Sequence, residues 1–328
     1  MSAPTLLRHA GAARDADARC PACHSRGPGL RYRLTRFRVY ACRRCRLVYL
    51  WPRADADEIR ALFRSLYAGD PACSPALRRY FSFSYDDAPA NPQVQRYERW
   101  LDAIERIRPP GRLLDIGCGT GLFLAVARRR GWLGRGVDDC AQAAAHARGV
   151  FGLEVRDGRF GELPEDGQRF DAITLWDVLE HAPDPLALLR AARRRLAAGG
   201  VLGLSLPNQR SLLELVAGAL YRASRGRITA PLEQLYVEQH FAYFHIETLR
   251  ATLARADLEI VQHRGEHTDL RRLELPAPVR LGLRALFAVA RAAALENRLF
   301  VLARPAEPRA QPAACARRRH GAFFRMRS

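Results

Sequence analysis

Between residues 112 and 207 short apolar runs alternate with stretches of helical periodicity. "RLLDIG", "GRGVDD", "LEVRDG", "FDAITLWDVLEH" and "VLGLSLPN" read as strands, and "GLFLAVARRRG", "CAQAAAHARGVFG" and "PLALLRAARRRLAAGG" as the helices between them. Strands and helices alternating at this spacing predict βαβ units. The expected fold class is therefore α/β, a doubly wound, mostly parallel sheet with helices on both faces. Such sheets hold ligands at the carboxyl ends of their strands.

The flanking regions are patterned differently. Residues 19–52 alternate in short segments such as "RVYACRRCRLVYL", which read as strands. Residues 53–110 read as a helical connector: "DADEIRALFRSLY" opens on an N-cap-like Asp55. Further on, Val94, Tyr97, Leu101 and Ile104 share a helical face before Pro109 and Pro110 stop it. The α/β domain is expected over 111–304, with a substrate-side insertion at 208–245. Past 207 the pattern is less regular: "SLLELVAGALYRASRGR" reads as a helix, and "IETLRATLARADLEIVQHRGE" as a helix followed by a strand. In "PVRLGLRALFAVARAAALENRLFVLARP", Arg280, Arg284, Arg291 and Arg298 fall on one stripe, and the apolar remainder predicts a helix buried on most faces. Residues 1–18 and 305–328 lack periodicity and are expected to be a disordered lead and a disordered basic tail.

Charge changes this picture less than its size suggests. The formal net charge is +19, yet all 53 basic residues are arginine. Nucleic-acid binders use lysine as well, so the absence of lysine reads as coding bias and weighs against nucleic acid. No run of 18 uncharged apolar residues is present, so no transmembrane segment is expected, although peripheral membrane contact stays open. The first residues lack a secretory h-region, from which a cytoplasmic protein is expected.

Of eight cysteines, four form "CPAC" (Cys20, Cys23) and "CRRC" (Cys42, Cys45), spaced C-x2-C-x18-C-x2-C. Two such turns close a tetrahedral Zn²⁺ site with no open position, so a structural zinc ribbon is expected. The position after each second cysteine, where glycine often supplies positive φ, holds His24 or Arg46.

The turn "LLDIGCGTG" places Asp115 ahead of Gly117, Gly119 and Gly121. Its spacing is not the G-x-G-x-x-G of dinucleotide sites, which disfavours a nicotinamide dehydrogenase. An acid there suits a cationic ligand without phosphate, and S-adenosylmethionine, with its ammonium and sulfonium, meets that requirement. On these residues the chain resembles the class I S-adenosylmethionine-dependent methyltransferases over roughly 90–265. The resemblance implies that Asp115, Gly117, Cys118, Gly119 and Gly121 cradle the donor. It implies too that Asp138, with neighbouring Asp139, takes the ribose hydroxyls. Where the family often has an acid near the adenine, this chain has Arg159 and then Phe160, so the Phe160 ring is the candidate there, with Asp157 and Glu162 as alternatives.

"FDAITLWDVLEHAPDP" resembles the signature of small-molecule methyltransferases, those of ubiquinone type and of sugars included. It places Asp177 to His181 where the methyl donor meets its acceptor. The turn of nucleobase N-methyltransferases, (D/N/S)PP(Y/F), is lacking. The cysteine ribbon and the later "EQHFAYFHIETLRATLARADLEIV" resemble bacterial methyltransferases with a zinc ribbon ahead of the catalytic domain, many from sugar or secondary-metabolite pathways. The glycine often found after the late helix is Asp257 here.

Methyl transfer is an in-line displacement, so the protein supplies alignment and, for a hydroxyl or carbon acid, a base. His181 and His240 are the candidate bases, with Tyr243 nearby, and Glu180 and Glu238 are weaker ones. The sequence thus predicts methyl transfer to oxygen or carbon of a small molecule or sugar precursor. An RNA methyltransferase and a non-catalytic module of the same fold are the alternatives, and the oligomeric state is left undetermined.

Overall fold

The computed structural model describes residues 17–307 except Ser74 and Glu165; the lead before residue 17 and the basic tail from 308, with Cys315, lie outside the described residues. Eleven strands are described: β1 (Gly29–Arg33), β2 (Arg38–Ala41), β3 (Val48–Trp51), β4 (Arg112–Ile116), β5 (Leu133–Asp138), β6 (Glu154–Asp157), β7 (Phe170–Trp176), β8 (Leu196–Pro207), β9 (Ala242–Tyr243), β10 (Leu258–Glu266) and β11 (Arg298–Pro305). The ten α-helices are α1 (Ala56–Tyr67), α2 (Pro75–Ser82), α3 (Pro92–Glu105), α4 (Leu122–Arg129), α5 (Ala141–Gly149), α6 (Pro185–Arg195), α7 (Leu212–Ala223), α8 (Ala230–Leu235), α9 (Ile246–Ala254) and α10 (Ala277–Ala292).

The larger sheet has seven strands in the order β10-β11-β8-β7-β4-β5-β6. Strands β4 to β8 pair in parallel, whereas β11 runs antiparallel to both β8 and β10. This is the α/β sheet expected, with a reversed strand near one edge. The order switches direction between β4 and β7, and the loops leaving those two strands diverge to open a crevice. The strands are buried on both faces, as their near-continuous apolar runs require. Trp100, Trp176 and Phe300 stack across one face and tie α3 to β7 and β11.

Local signals account for many of the ends. Asp55 caps α1 by accepting from the backbone N–H groups of Asp57 and Glu58, and Asn91 caps α3 ahead of Pro92. The segment 196–200, assigned by pattern to the preceding helix, instead begins β8: Leu196 pairs with Phe170, and Gly199 turns at φ 68°. A glycine pair is a poor helix end to extend, and pairing with β7 wins.

The second correction concerns α10. Its apolar positions predict burial, but Ala290 is its only buried residue, and Val279, Leu281 and Val289 are 47, 68 and 58% exposed. The helix lies in the β10–β11 connection at the sheet edge, where no described element covers it. Arg298, read as part of its stripe, is the first residue of β11 and is 6% exposed.

The cysteine segment does not stand apart. Its three strands are extended by β9 from the later insertion, in the order β1-β2-β3-β9, with Val48 opposite Tyr243 and Tyr49 opposite Ala242. Glu214, 3% exposed on α7, accepts from Arg31, Tyr32 and Tyr236 at 2.9 to 3.0 Å, joining β1 to the insertion. Cys20, Ala22, Tyr49 and Leu47 pack in the same apolar cluster as Phe244, Leu249 and Leu253. That cluster runs on into the large sheet.

Candidate functional site

Four thiols converge in the cysteine segment. Cys20 and Cys45 are 3.5 Å apart, as are Cys23 and Cys42, and all four sulfur atoms lie within 4.8 Å of one another. A zinc–thiolate tetrahedron has edges of about 3.8 Å, given Zn–S bonds near 2.3 Å. The set therefore fits a tetrahedral ion. His24 and Arg46 adopt φ of 57° and 63° and donate their N–H groups back to Cys20 and Cys42 at 2.9 Å. The two knuckle turns thus form without glycine, as left-handed non-glycine residues.

At the carboxyl end of β4 the glycine turn bends sharply over β5. The N–H groups of Gly117 and Cys118 both donate to Val137 O, at 2.8 and 3.2 Å. Asp138, at the end of β5, accepts from Gly119 N–H at 2.7 Å and from Cys140 N–H at 2.9 Å. Burial pushes its carboxyl up to about 6 despite those two bonds. Asp115 is 2% exposed and accepts from Thr174 Oγ1 at 2.6 Å. Burial outweighs that bond and raises its carboxyl to about 8. A buried acid held neutral this way ionises readily when a cation arrives beside it.

Two glycines are demanded by what touches them. At Gly117 (φ 70°) a Cβ would stand 2.5 Å from Val178 Cγ2, and at Gly119 (φ 52°) 2.7 Å from the Tyr67 hydroxyl. Val178 belongs to the loop after β7, and Tyr67 ends α1. Both elements therefore press directly on the glycine turn.

A cavity of about 260 Å³ opens here, lined by Asp115, Gly117, Cys118, Gly119 and Thr120 of the glycine turn, by Asp177, Glu180 and His181 of the loop after β7, and by His240. Phe63, Tyr67, Tyr80 and Phe81, from α1 and α2, also line it. These residues come from the helical connector and were not selected from sequence. The aromatic run "YFSFSY" at 80–85 was the available signal.

The two candidate histidines meet. Their ring centroids are 4.6 Å apart in an edge-to-face arrangement. The ring nitrogen Nδ1 of His181 bonds to Gln239 O at 2.8 Å, and Phe241 N–H donates to Glu180 O at 2.8 Å. The loop after β7 and the segment before β9 are thereby laced together. Burial, then neighbouring His181 and Arg298, hold His240 well below the ordinary histidine range. Its Nδ1 has no partner, and neither carboxylate oxygen of Glu180 has one, although Glu180 is 1% exposed. Burial, then the charge of Asp177, raises Glu180 to about 8. Donor atoms of Glu180, His181 and His240 lie within 4.8 Å of one another, so the unpartnered carboxyl sits beside both imidazoles.

The remaining candidates sit elsewhere. Asp177, at φ 59°, bonds to Arg298 on the cavity wall, and burial is outweighed by that guanidinium so that its carboxyl lies low. Asp139 is exposed beside Asp138, and Gly121 opens α4. Phe160 is buried in the core under the Arg195 guanidinium and does not line the cavity. Glu162 accepts from Arg159 N–H at 3.3 Å, closing a short turn. The Tyr243 hydroxyl donates to Val237 O and accepts from Val237 N–H, at 3.0 and 2.7 Å. It lines a second cavity of about 200 Å³, which shares Pro207, His240 and Arg298 with the first and is otherwise rich in amides and hydroxyls.

A family model described as a methyltransferase domain matches residues 93–263. The ubiquinone biosynthesis O-methyltransferase of Hahella chejuensis is 33% identical over 178 residues, covering 50% of this chain and 71% of that protein. The protein of the same name in Paracidovorax citrulli is 30% identical over 131 residues, 37% of this chain and 55% of that one. The chain spans about half the length of several of the curated relatives it matches. Among solved structures, the magnesium protoporphyrin IX methyltransferase of Synechocystis superposes with a TM-score of 0.48 at 15% identity, over 76% of this chain and 99% of that one. Among the described residues no helix is long and apolar enough to cross a membrane.

Proposed function

The chain belongs to the class I S-adenosylmethionine-dependent methyltransferases, and from that premise we propose that it transfers a methyl group to oxygen or carbon of a small molecule, sugars and glycan precursors included. The observation that carries the reading is a single cavity lined both by a glycine turn with a buried acid and by two histidines in edge-to-face contact. On this reading Asp115 meets the donor's cationic amino-acid end, and Gly117, Cys118, Gly119 and Gly121 let the donor approach the backbone. Asp138 accepts from the ribose hydroxyls with the lone pairs left beyond its two backbone bonds, and Asp139 is placed to assist. Phe160, buried in the core and absent from the cavity lining, is given no part in holding the adenine. Asp177 shapes the junction between donor and acceptor.

Bound there, S-adenosylmethionine supplies an electrophilic methyl on sulfonium. The protein's part is to align the acceptor and take its proton. Neutral His240 is a proton acceptor at ordinary pH, with Glu180 behind it and His181 fixed by Gln239 O. The four cysteines would hold a structural Zn²⁺, which would brace the cysteine strands, among them β3, the partner of β9 just beyond His240. O-methylation is the named chemistry of the curated relatives and the first to test on this chain.

Calorimetric titration with S-adenosylmethionine tests the donor half. Asp138→Ala should weaken binding about 10- to 100-fold, since charge-assisted hydrogen bonds contribute ~1.5–3 kcal/mol. An isotherm indistinguishable from the native one would remove Asp138 from the site. Asp115 predicts a pH dependence of definite sign. It is protonated below about 8, and a cationic ligand favours its ionised form, so donor uptake near neutral pH should release a proton and tighten as pH rises toward 8. Titrations in buffers of different ionisation enthalpy count that proton, and identical apparent enthalpies would rule it out.

A further inference from the structure

The cavity carries more buried positive charge than the protein neutralises. Arg96, Arg272 and Arg298 are 3, 4 and 6% exposed. Arg298 has Asp177 and Ser205. Arg272 donates to Gln93 Oε1 at 2.7 Å and to Tyr80 O at 3.0 Å, with its guanidinium 3.7 Å from the Tyr80 ring centroid, but reaches no carboxylate among the described residues. Arg96, which stands behind them, faces Trp100 at 5.9 Å and likewise reaches none. Asp269, the other acid close to Arg96, is held by Arg271 at 2.7 Å. The Nε atoms of Arg272 and Arg298 are buried without partners.

Three buried guanidinium groups against one paired carboxylate is an arrangement that proteins do not leave uncompensated. The donor does not compensate it. S-adenosylmethionine carries a sulfonium and an ammonium against one carboxylate, so it enters as a net cation. The missing negative charge then has to come from the other ligand of the cavity. Arg272 and Arg298 both line that cavity, and Arg298 and His240 also line the polar cavity adjoining it.

We infer that Arg272 and Arg298, backed by the buried charge of Arg96, form the seat of an anionic group on the methyl acceptor, a carboxylate or a phosphate. The inference rests on the methyltransferase reading and narrows its substrate to acidic molecules. Arginine suits this role because its planar fork matches both oxyanions. Burial, which holds Asp115 and Glu180 toward their neutral forms, leaves the positive surplus in place until substrate arrives. The acid end at the arginines and the reacting hydroxyl or carbon at His240 would fix the acceptor at two points, as in-line transfer requires.

The test uses the full chain saturated with S-adenosylhomocysteine, titrated calorimetrically with benzoate, benzamide and inorganic phosphate. Benzoate or phosphate should bind saturably, and benzamide, the same shape as benzoate without charge, at least tenfold more weakly. Arg272→Gln should weaken the anion at least tenfold and leave S-adenosylhomocysteine within twofold. The native benzoate–benzamide comparison stands even where that variant does not fold. Equal binding of the two, or binding of neither, overturns the inference. So does an Arg272→Gln variant that loses S-adenosylhomocysteine instead of the anion, since the arginines would then hold the donor's own carboxylate. Failure of native protein to bind S-adenosylhomocysteine at all removes the donor reading itself, an outcome distinct from binding without anion preference.

Discussion

Replacing His240 by alanine should lower the single-turnover rate of methyl transfer about 10²- to 10⁴-fold, the range of a lost general base. Donor affinity should stay within a factor of two. The ring contacts of His240 are with His181 and Tyr243, and its segment is separate from the glycine turn that carries Asp115. The pH profile separates a base from a structural residue. Because burial, His181 and Arg298 hold the imidazole well below 6.5, it is neutral and able to accept a proton throughout the neutral range. The native rate should therefore fall only at acid pH, as His240 becomes protonated, and the alanine variant should lose that acid limb. His240→Gln keeps a side chain of similar reach without the base, and should remain as slow as alanine. A variant with unchanged single-turnover rate would take His240 out of the chemistry and leave His181 or an unassisted transfer.

Stripping the metal from the cysteine set should abolish transfer while sparing the donor site. A structural zinc contributes ~10–16 kcal/mol in small domains at neutral pH, so losing it forfeits much of the order of 19–52. The consequence reaches further than the ribbon, because β3 carries β9 as its neighbour through Val48–Tyr243 and Tyr49–Ala242. With β3 displaced, the segment holding His240 loses one side of its support, and Phe241 N–H to Glu180 O and His181 Nδ1 to Gln239 O are left as its ties to the β7 loop. The glycine turn depends on β4, β5, α1 and Val178 rather than on the ribbon sheet. Cys42→Ser, or prolonged chelation, should thus yield protein that still binds S-adenosylmethionine but transfers no methyl group. Elemental analysis should find about one zinc per native chain and none in the variant. Full activity in metal-free protein would show that the ribbon plays no part in holding the acceptor wall.

These expectations divide along a physical line. Strand and helix in 112–207 were legible because each follows from short-range periodicity, and that periodicity survives wherever neighbours bury the strands on both faces. The same reading failed at α10, since an apolar face says that a helix can be buried, not that anything is there to bury it. The knuckle turns at His24 and Arg46 succeed without glycine because the backbone N–H groups of those residues close onto Cys20 and Cys42. Asp257 likewise takes φ of 55° where relatives often place glycine.

What the sequence determined by itself was the glycine turn of the proposed donor half and the cysteine cluster of the proposed metal set, whose residues lie within one turn or at one fixed spacing. Asp115 through Gly121 is a single local conformation, Asp138 ends the next strand, and each cysteine pair is one knuckle. Only the tertiary structure decided the acceptor half. No local pattern distinguishes Arg96 on α3, Arg272 before α10 or Arg298 on β11 from the other arginines, and although His240 beside β9 was a candidate from sequence, its meeting with Arg272 and Arg298 at one cavity was not legible. Their shared wall exists because the reversed strand β11 enters the sheet beside β8 and because β9 crosses to pair with the cysteine strands. Charge that reads as coding bias in a list of 53 arginines is, at Arg272 and Arg298, buried against a cavity, with Arg96 buried beyond its lining. Long-range strand pairing sets that burial, and burial gives those guanidinium groups their demand for an anion.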